Sequence, residues 1–229
     1  MKCVIIAGGK GTRLFPLTKE IPKALVKIGE IPILEIIIKQ LSSYDICDIT
    51  LATNHYHEKV FDYFGHGDRL NVRIKYIKEK MPLGTAGSIS LLENIEDDFM
   101  VMNCDILTNL NFDNFIGYHL SQGNHATILS VRREEVYPYG TLKIVKGVLD
   151  EIIEKPKLSF DIYGGISVFK PSVIKQMKSG ERRDLPTLLT DLCKAKHKVS
   201  VYNFDGLWID IGSIESYAKA VRAYHEIWR

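Results

Sequence analysis

The sequence predicts one α/β domain over residues 1–229, built on a mixed, mostly parallel sheet, and two observations support this fold class. Across residues 1–122, short apolar runs alternate with amphipathic segments, a pattern typical of βαβ units. Across residues 123–229, strand patterns follow one another with turn residues between them, which predicts a smaller, β-rich lobe. We therefore expect a core of residues 1–122 and a lobe of residues 123–229.

The first half of the chain supplies the expected elements of the core. Residues 2–7 form a β-branched run that ends at glycines, which predicts a buried strand. Apolar residues recur through residues 33–41 at the spacing of one helix face. The same criteria predict further strands at 48–53, 72–77 and 99–102, and further helices at 58–64, 85–92 and 111–120.

The second half of the chain supplies mostly strands. They are predicted at 126–131, 141–145, 149–154, 163–169, 199–204 and 207–211, with a helix at 185–195. Turn residues predict one hairpin at 145–148 and a second at Asp205-Gly206. Ser213 is expected to cap a last helix, with Glu215 in its first turn, where the helix dipole favours an acid.

The charge balance of the chain excludes some partners. Lys and Arg number 30 against 28 acids, so the net charge is +2, which disfavours nucleic acid or a membrane surface as partner. No apolar run approaches the length of a bilayer span, and the start at Met1 leaves no room for a signal peptide. Four scattered cysteines without a CxxC spacing indicate reduced thiols in a cytoplasmic protein. His55 and His57 have no evident third ligand and are interpreted as surface residues.

The loop after the first strand is a candidate anion site. Backbone N–H groups between Gly8 and Thr12 are expected to face an anion, with Arg13 and Lys23 neutralising its remaining charge. The alternative is an ordinary glycine-rich turn. Leu14 stands where the dinucleotide fingerprint needs a third small residue, which disfavours a Rossmann dehydrogenase, and a Walker loop is excluded because GxxxxGK[ST] is absent from the sequence.

Eight short motifs stand in one order along nearly the whole chain, from residue 2 to about residue 220. They are AGGKGTRL at 7–14, PKAL at 22–25, PLGTAGS at 82–88, NCD at 103–105, YG at 139–140, EKP at 154–156, GGI at 164–166 and WIDIG at 208–212. Together they resemble the sugar-1-phosphate nucleotidyltransferase family, and the size resembles its compact guanylyl- and uridylyltransferases, which have no β-helix tail. The resemblance implies a Rossmann-like nucleotidyltransferase fold with a β-rich sugar-binding lobe. It also implies an enzyme that joins a sugar 1-phosphate to an NTP and releases pyrophosphate.

The resemblance further implies the residues of the active site. Arg13, Lys23 and Asp105 would be catalytic, and Asp105 and Asp210 would hold Mg²⁺ as the cofactor. The implied nucleotide-binding residues are Ala7, Gly8, Gly9, Gly11, Thr12, Arg13, Pro82, Gly84, Thr85 and Asn103. The implied sugar-phosphate-binding residues are Lys23, Gly140, Glu154, Lys155 and Gly165.

Several functional alternatives stay open at the level of the sequence. The resemblance favours GTP as the nucleotide, with a hexose, hexosamine or heptose 1-phosphate as the acceptor. The alternative is a UTP-dependent enzyme acting on an N-acetylhexosamine or N-acetylmuramic acid 1-phosphate, and a catalytically silent subunit that binds a nucleotide sugar is a third. A metal-dependent glycosyltransferase using Asp105 would not explain Arg13 and Lys23. Tyr163 stands where many family members have an asparagine that contacts the sugar, so the identity of the sugar is left open. Whether the chain forms a homodimer is also left open.

Overall fold

The computed structural model describes residues 1–54 and 56–227, with side chains described up to residue 224, so His55 lies outside the described residues. The strands are β1 (Lys2–Ile6), β2 (Lys27–Ile28), β3 (Ile31–Pro32), β4 (Asp48–Thr53), β5 (Arg73–Lys78), β6 (Phe99–Asn103), β7 (Ile106–Thr108), β8 (Ala126–Val136), β9 (Thr141–Val145), β10 (Val148–Ile153), β11 (Lys157–Phe169), β12 (Val199–Phe204) and β13 (Trp208–Asp210). The helices are α1 (Ile33–Ser42), α2 (His57–Phe64), α3 (Gly84–Gly87), α4 (Phe112–Gln122), α5 (Leu185–Lys194) and α6 (Ile214–Ile227).

Seven strands form the central sheet, in the order β12-β8-β11-β6-β1-β4-β5. The long strand β11 runs antiparallel to both of its neighbours, β8 and β6. The other four neighbouring pairs in this sheet are parallel. The expected mixed, mostly parallel sheet is therefore confirmed, and the parallel strands β6, β1 and β4 bring their carboxyl ends to one edge, where open α/β sheets bind ligands.

Helices cover both faces of the sheet. In β1, Cys3 and Ile5 face one apolar cluster, whereas Val4 faces a second cluster, because successive side chains of a strand point to opposite faces. The first cluster takes in the apolar sides of α1, α2 and α4, and the second takes in those of α3 and α5. This three-layer packing makes the sheet rigid and leaves the loops at its carboxyl edge free to form a site.

Strands from both predicted parts of the chain share the central sheet. β8, β11 and β12 all lie beyond residue 122, and β11 pairs directly with β6 of the first part. Because both parts contribute to one sheet, the sheet itself marks no boundary, and the division at residue 122 stays a prediction. The strands β9 and β10 form a separate two-stranded sheet, with Lys146 and Gly147 at positive φ in the turn that the sequence predicts.

The predicted hairpin at Asp205-Gly206 is wrong. β12 pairs in parallel with β8 in the central sheet, whereas β13 pairs antiparallel with β7. Tyr202 of β12 packs edge-on against Phe115 and Tyr118 of α4, with ring centroids 5.4 Å apart in both cases. Packing against a distant helix thus decides the partner of β12, and the local turn residues do not.

The predicted helix at 85–92 is shorter than expected. α3 ends at Gly87 and continues as a 3₁₀ turn over Ser88–Leu91. The N–H groups of Ala86 and Gly87 both donate to the carbonyl of Arg183. Both donors belong to the first turn of α3, whose N–H groups have no acceptor within the helix, so the Arg183 carbonyl caps the start of this helix.

Other expectations from the sequence can be compared directly with the structure. The Ser213 hydroxyl accepts a hydrogen bond from Ser216 N at 3.2 Å, so the predicted cap of the last helix is confirmed. All four cysteines are free thiols. Among the described residues, no helix combines the length and the apolar character that crossing a membrane requires.

Candidate active site

The loop after β1 presents unpaired backbone donors. Within the described part of the chain, none of the N–H groups from Gly8 to Thr12 donates to a protein acceptor. Gly11 has φ +65°, and the Thr18 hydroxyl donates to its carbonyl at 2.7 Å. A Cβ at position 11 would lie 3.0 Å from Thr18 Cγ2, so this turn requires glycine both for its conformation and for space. The loop therefore offers a row of open donors beside the cleft, an arrangement that suits an anion.

Asp105 and Asp210 lie side by side because two short strands pair. Asp105 follows β6, and Asp210 is the last residue of β13. The register places Asp210 opposite Ile106, and Ile211 N donates to the carbonyl of Asp105 at 2.9 Å. Two acids that are far apart in sequence thus meet at the carboxyl edge of the sheet.

Lys23 bridges the two carboxylates. Its Nζ donates to Asp105 Oδ2 and lies 4.0 Å from Asp210 Oδ1. Burial and then the nearby Asp105 carboxylate raise the pKa of Asp210, whereas Lys23 and Arg13 act in the opposite direction. In the described part of the chain, Asp105 Oδ1 and Asp210 Oδ1 are buried without a hydrogen-bond partner. These two oxygens are unused acceptors inside an acidic pair, which is the chemistry that a cation requires.

Arg13 lies near Asp210, next to Gly212. A Cβ at Gly212 would come within 3.1 Å of Asp210 Oδ1 and 3.3 Å of Arg13 Nη2. The glycine therefore lets the guanidinium approach Asp210 across the backbone. Arg13 itself is exposed, so its planar fork remains available to an anion in the cleft.

A cleft of about 400 Å³ joins the loop and the acidic pair. Most of the residues that the resemblance implies line it together. They are Gly8, Gly9, Gly11, Thr12, Arg13, Lys23, Pro82, Gly84, Thr85, Asn103, Asp105 and Asp210. Ala7 lines an adjoining depression of about 240 Å³ that also contains Gly8, Gly9 and Pro82.

Gly84 and Thr85 line the cleft, yet they also make contacts that the sequence did not predict. A Cβ at Gly84 would lie 2.5 Å from Asp184 Oδ1 and 2.6 Å from the carbonyl of Arg183. The Thr85 hydroxyl accepts from Leu185 N at 2.8 Å. Both residues therefore help to dock the start of α5 against the wall of the cleft.

The implied sugar-phosphate residues fall into two places. Gly165, at φ +71°, lies in an irregular stretch of β11, and its Cβ would come 3.0 Å from Asn103 Nδ2. Gly140, Glu154 and Lys155 are exposed at the base of the β9–β10 hairpin and do not line the cleft. A Cβ at Gly140 would lie 2.9 Å from Glu154 Oε2, so these two residues are in contact.

Glu79 is a cleft residue that reasoning from the sequence missed. Its carboxylate is buried, and Oε2 accepts from Leu83 N at 3.2 Å and from Asn54 Nδ2 at 3.4 Å. Burial raises the pKa of Glu79, and these two hydrogen bonds lower it. The available signal was an acid directly after a strand and three residues before Pro82.

Three further residues of the cleft were also missed as site residues: Ile6, Cys104 and Gly212. Burial raises the pKa of the Cys104 thiol to about 12, so the thiol is protonated and inert at neutral pH.

No group of three or more His, Cys, Asp or Glu side chains able to hold a metal occurs in the part of the chain that the structure describes. A cation at the acidic pair would therefore take its remaining ligands from water or substrate.

The fold and the cleft agree with the family to which the sequence is matched. A family model described as "Nucleotidyl transferase" matches residues 2–227. The chain belongs to the nucleotidyl transferase family.

Individual relatives extend this finding. A mannose-1-phosphate guanyltransferase of Schizosaccharomyces pombe is 31% identical over 238 residues, which cover 98% of this chain. The chain spans only 64% of the length of that relative. The crystal structure of HddC from Yersinia pseudotuberculosis complexed with GMP-PN has a TM-score of 0.76 at 27% identity and covers 97% of this chain and 99% of its own. A Bacillus anthracis protein in complex with sucrose has a TM-score of 0.81 at 24% identity, and the match covers 99% of this chain and 96% of that protein. At this identity, the likeness shows the fold alone.

Proposed function

We propose that the chain transfers a guanylyl group from GTP to the phosphate of a sugar 1-phosphate, giving a GDP-sugar and pyrophosphate. The observation that carries this proposal is the cluster of Lys23, Asp105 and Asp210 in one cleft with the open donors of the first loop. Membership of the family supports transfer of a nucleotidyl group. Relatives named mannose-1-phosphate guanyltransferase, and a structural neighbour complexed with GMP-PN, support guanosine as the nucleoside.

The reaction needs positioned cations more than it needs a base. A sugar phosphate has a second pKa of about 6, so it is mostly a dianion at neutral pH and is already a nucleophile. A phosphate oxygen attacks the α-phosphorus of GTP, and the bond to the departing pyrophosphate breaks. Repulsion between the two anions is the main obstacle, so we assign Arg13 to the pyrophosphate and Lys23 to the reacting phosphates.

The acidic pair fits a divalent cation, and we propose Mg²⁺. Its ligands would be the unused oxygens of Asp105 and Asp210 together with phosphate oxygens and water, since Mg²⁺ prefers oxygen and uses few carboxylates. Among the described residues that line the cleft, two cations stand against three carboxylates, so the protein alone does not neutralise a triphosphate. When bound, the metal ion supplies the missing positive charge.

Glu79 supports guanine as the base. Guanine presents adjacent N–H donors on one edge, whereas uracil presents a single N–H between two carbonyls. An ionised carboxylate has about four acceptor sites, and Leu83 and Asn54 occupy two of those on Glu79. We propose that the remaining capacity binds the guanine edge.

We propose that the sugar binds between Gly165 and the base of the β9–β10 hairpin. Lys155 would hold the sugar phosphate there, and Glu154 would accept hydrogen bonds from the hydroxyls. Lys155 has φ +44°, an uncommon conformation for a lysine, and it stands exposed beside Glu154 at the end of the hairpin. The relatives' names favour a hexose 1-phosphate.

A pyrophosphate-release assay tests the reaction. GTP, UTP, dTTP and ATP are each combined with mannose, glucose, N-acetylglucosamine and N-acetylmuramic acid 1-phosphates in the presence of Mg²⁺, and products are identified by mass spectrometry. We expect the highest kcat/KM with GTP and a hexose 1-phosphate. The highest value with UTP and an N-acetylated sugar phosphate would instead support the uridylyltransferase alternative.

A silent, nucleotide-sugar-binding subunit gives a different result. It would bind a GDP-sugar in calorimetry and release no pyrophosphate with any pair. That outcome would overturn the proposed enzyme, whereas loss of turnover on chelation with EDTA and recovery with Mg²⁺ would support the proposed cofactor.

A further inference from the structure

Residues 83–87, which we call the cleft wall, include two residues that line the cleft, and main-chain hydrogen bonds tie this segment to the start of α5. The N–H groups of Ala86 and Gly87 donate to the carbonyl of Arg183 at 2.9 and 3.1 Å. In return, Arg183 N donates to the carbonyl of Leu83 at 2.8 Å. These three bonds use main-chain atoms only, so they do not depend on which side chains stand at these positions.

Asp184 and Thr85 add a reciprocal pair of hydrogen bonds from their side chains. Asp184 Oδ1 accepts from Thr85 N at 3.1 Å, and the Thr85 hydroxyl accepts from Leu185 N at 2.8 Å. Asp184 precedes the first turn of α5, where a carboxylate ordinarily accepts from the N–H groups of its own helix, yet its side chain makes no such bond. The carboxylate serves the cleft wall instead.

The electrostatics of this junction favour a carboxylate. The first N–H groups of a helix have no acceptor within it, and they carry partial positive charge. Thr85 N lies in the first turn of α3 and Leu185 N in the first turn of α5, so two such ends meet at Asp184. Removing the carboxylate would leave Thr85 N without its acceptor and two like partial charges close together.

Gly84 carries the open donor of the cleft wall. In the part of the chain that the structure describes, the other N–H groups of the wall have protein acceptors, whereas Gly84 N donates to none. Gly84 lines the cleft at φ +76°, and each of its chain neighbours is held by a carboxylate: Leu83 N by Glu79 and Thr85 N by Asp184. Asp184 itself does not line the cleft, so it can act on a ligand only through the wall.

We propose that Asp184 is a positioning residue for nucleotide binding, because its carboxylate holds the cleft wall so that Gly84 N faces the nucleotide. This inference rests on the proposed function, which makes a nucleotide the ligand of the cleft. The alternative is that Asp184 stabilises the fold and nothing more. A purely stabilising residue would change the free energy of unfolding, and it would not change the affinity of the folded protein for GTP.

Calorimetric titration with GTP and Mg²⁺ tests this role, since it measures affinity without turnover. We expect Asp184→Ala to raise the Kd for GTP about 10-fold, the effect of losing a hydrogen bond to a charged group. Asp184→Asn keeps an oxygen that can accept from Thr85 N and should recover most of this loss. In pyrophosphate release, Asp184→Ala should raise the KM for GTP by a similar factor. The kcat should be nearly unchanged, because Arg13 and Lys23 are untouched.

Two further variants are the controls. Asn111→Ala removes a bond of the same kind at the start of α4, outside the cleft, where Asn111 Oδ1 accepts from Asn114 N at 2.9 Å. It should lower the free energy of unfolding, as Asp184→Ala does, and leave the Kd for GTP unchanged. Glu181→Ala removes one negative charge from an exposed position in the same segment as Asp184, and it should also bind GTP as the wild type does.

The proposal is wrong if Asp184→Ala binds GTP with the wild-type Kd, or if Asn111→Ala weakens binding equally. It is also wrong if Asp184→Asn restores none of the affinity. Failure of the proposed reaction looks different, because the wild-type chain would then bind GTP and release no pyrophosphate, and the Kd values would still decide the role of Asp184. A wild-type chain that binds neither GTP nor UTP would overturn both proposals.

Discussion

Lys23 holds together two carboxylates that would otherwise repel each other. Its Nζ contacts Asp105 and lies 4.0 Å from Asp210, and its side chain is only 11% exposed. One buried ammonium cannot satisfy two carboxylates fully, and in the described residues each acid keeps one buried oxygen without a hydrogen-bond partner. The residue therefore stabilises the acidic pair while leaving the pair's capacity for a cation intact.

Asp105→Asn should abolish turnover while leaving the fold intact. Asparagine keeps the shape of the side chain and removes the charge on which Lys23 and a cation depend. We expect kcat to fall by at least about 100-fold, the size of effect seen when one preorganised electrostatic group is lost. The measurement is pyrophosphate release, with thermal unfolding as the test of the fold. Asp113→Asn, an exposed acid on α4, is the control and should retain full activity. Activity that survives in Asp105→Asn would mean that the catalytic pair is placed wrongly.

Glu79→Gln should reduce the preference for GTP over UTP. An amide can still accept from Leu83 N, so the loop keeps its shape, but the charged acceptor for guanine is lost. A hydrogen bond to a charged group contributes about 1.5–3 kcal/mol, so the ratio of kcat/KM values should fall about 10- to 100-fold. Steady-state kinetics with both nucleotides measure this ratio. Glu58→Gln is the control: it breaks an exposed ion pair with Lys78 and should leave the ratio of kcat/KM values for GTP and UTP unchanged. An unchanged ratio in Glu79→Gln would rule out the proposed base contact.

The resemblance implied most residues of the cleft, and there is a physical reason why it missed the others. Asp105 and Lys23 stand in short motifs, so their roles can be carried over position by position. Glu79 precedes such a motif, and its place directly after a strand and three residues before Pro82 is a weak signal, because solvated acids also stand at strand ends. Only the packing of Leu83 and Asn54 around it shows that its carboxylate is buried.

At the scale of elements, the pairing of β7 with β13 builds the acidic pair, and the sequence could not predict it. Asp205-Gly206 has the residues of a tight turn, and the expectation that β12 and β13 form a hairpin follows from local chemistry alone. Strand partners are chosen by apolar faces from elsewhere in the chain, as Tyr202 shows by packing on α4. Ten of the thirteen strands were predicted, because their alternation of side chains is local. The short strands β2, β3 and β7 were missed, β8 extends five residues beyond its predicted end, and β11 begins six residues before its predicted start.

The docking of α3 against the segment before α5 gives a stability prediction. Gly84→Ala places a Cβ in a residue at φ +76° and within 2.6 Å of the carbonyl of Arg183, so the segment must shift. We expect a loss of about 1–3 kcal/mol in the free energy of unfolding, measured by urea titration. Gly117→Ala is the matched control, because a Cβ there meets nothing within 4 Å in the middle of α4, and it should stabilise the chain by about 0.5–1 kcal/mol. Equal effects of the two variants would contradict this explanation.

At the scale of the whole molecule, a buried histidine links α4 to the central sheet. His119 Nδ1 lies 2.7 Å from Thr127 Oγ1 of β8, and Nε2 lies 3.2 Å from Asp98 Oδ2 just before β6. Burial lowers the pKa of His119, although Asp98 opposes this shift. Below the ordinary histidine pKa of about 6.5, the unfolded chain therefore binds a proton that the folded chain resists. The contribution of neutral His119 to the free energy of unfolding is therefore fully present above about pH 6.5 and is lost as the pH falls below that value.

We expect the wild-type chain to lose more free energy of unfolding between pH 7.5 and pH 5.5 than His119→Gln does. The glutamine variant removes the titrating group, and its lower overall stability cancels when each protein is compared with itself. Urea titrations of both proteins at the two pH values provide the measurement. Parallel losses in the two proteins would show that other groups control the response to acid.

The pairing of β7 with β13 joins two acids that are synthesised at different times. A ribosome reaches Asp105 about midway through the chain, and Asp210 emerges roughly a hundred codons later. A nascent chain can thus hold the glycine loop, Lys23 and a single acid well before the second acid arrives. A fragment that stops before β13 would lack Asp210, and with it half of the acidic pair on which the proposed cation site depends.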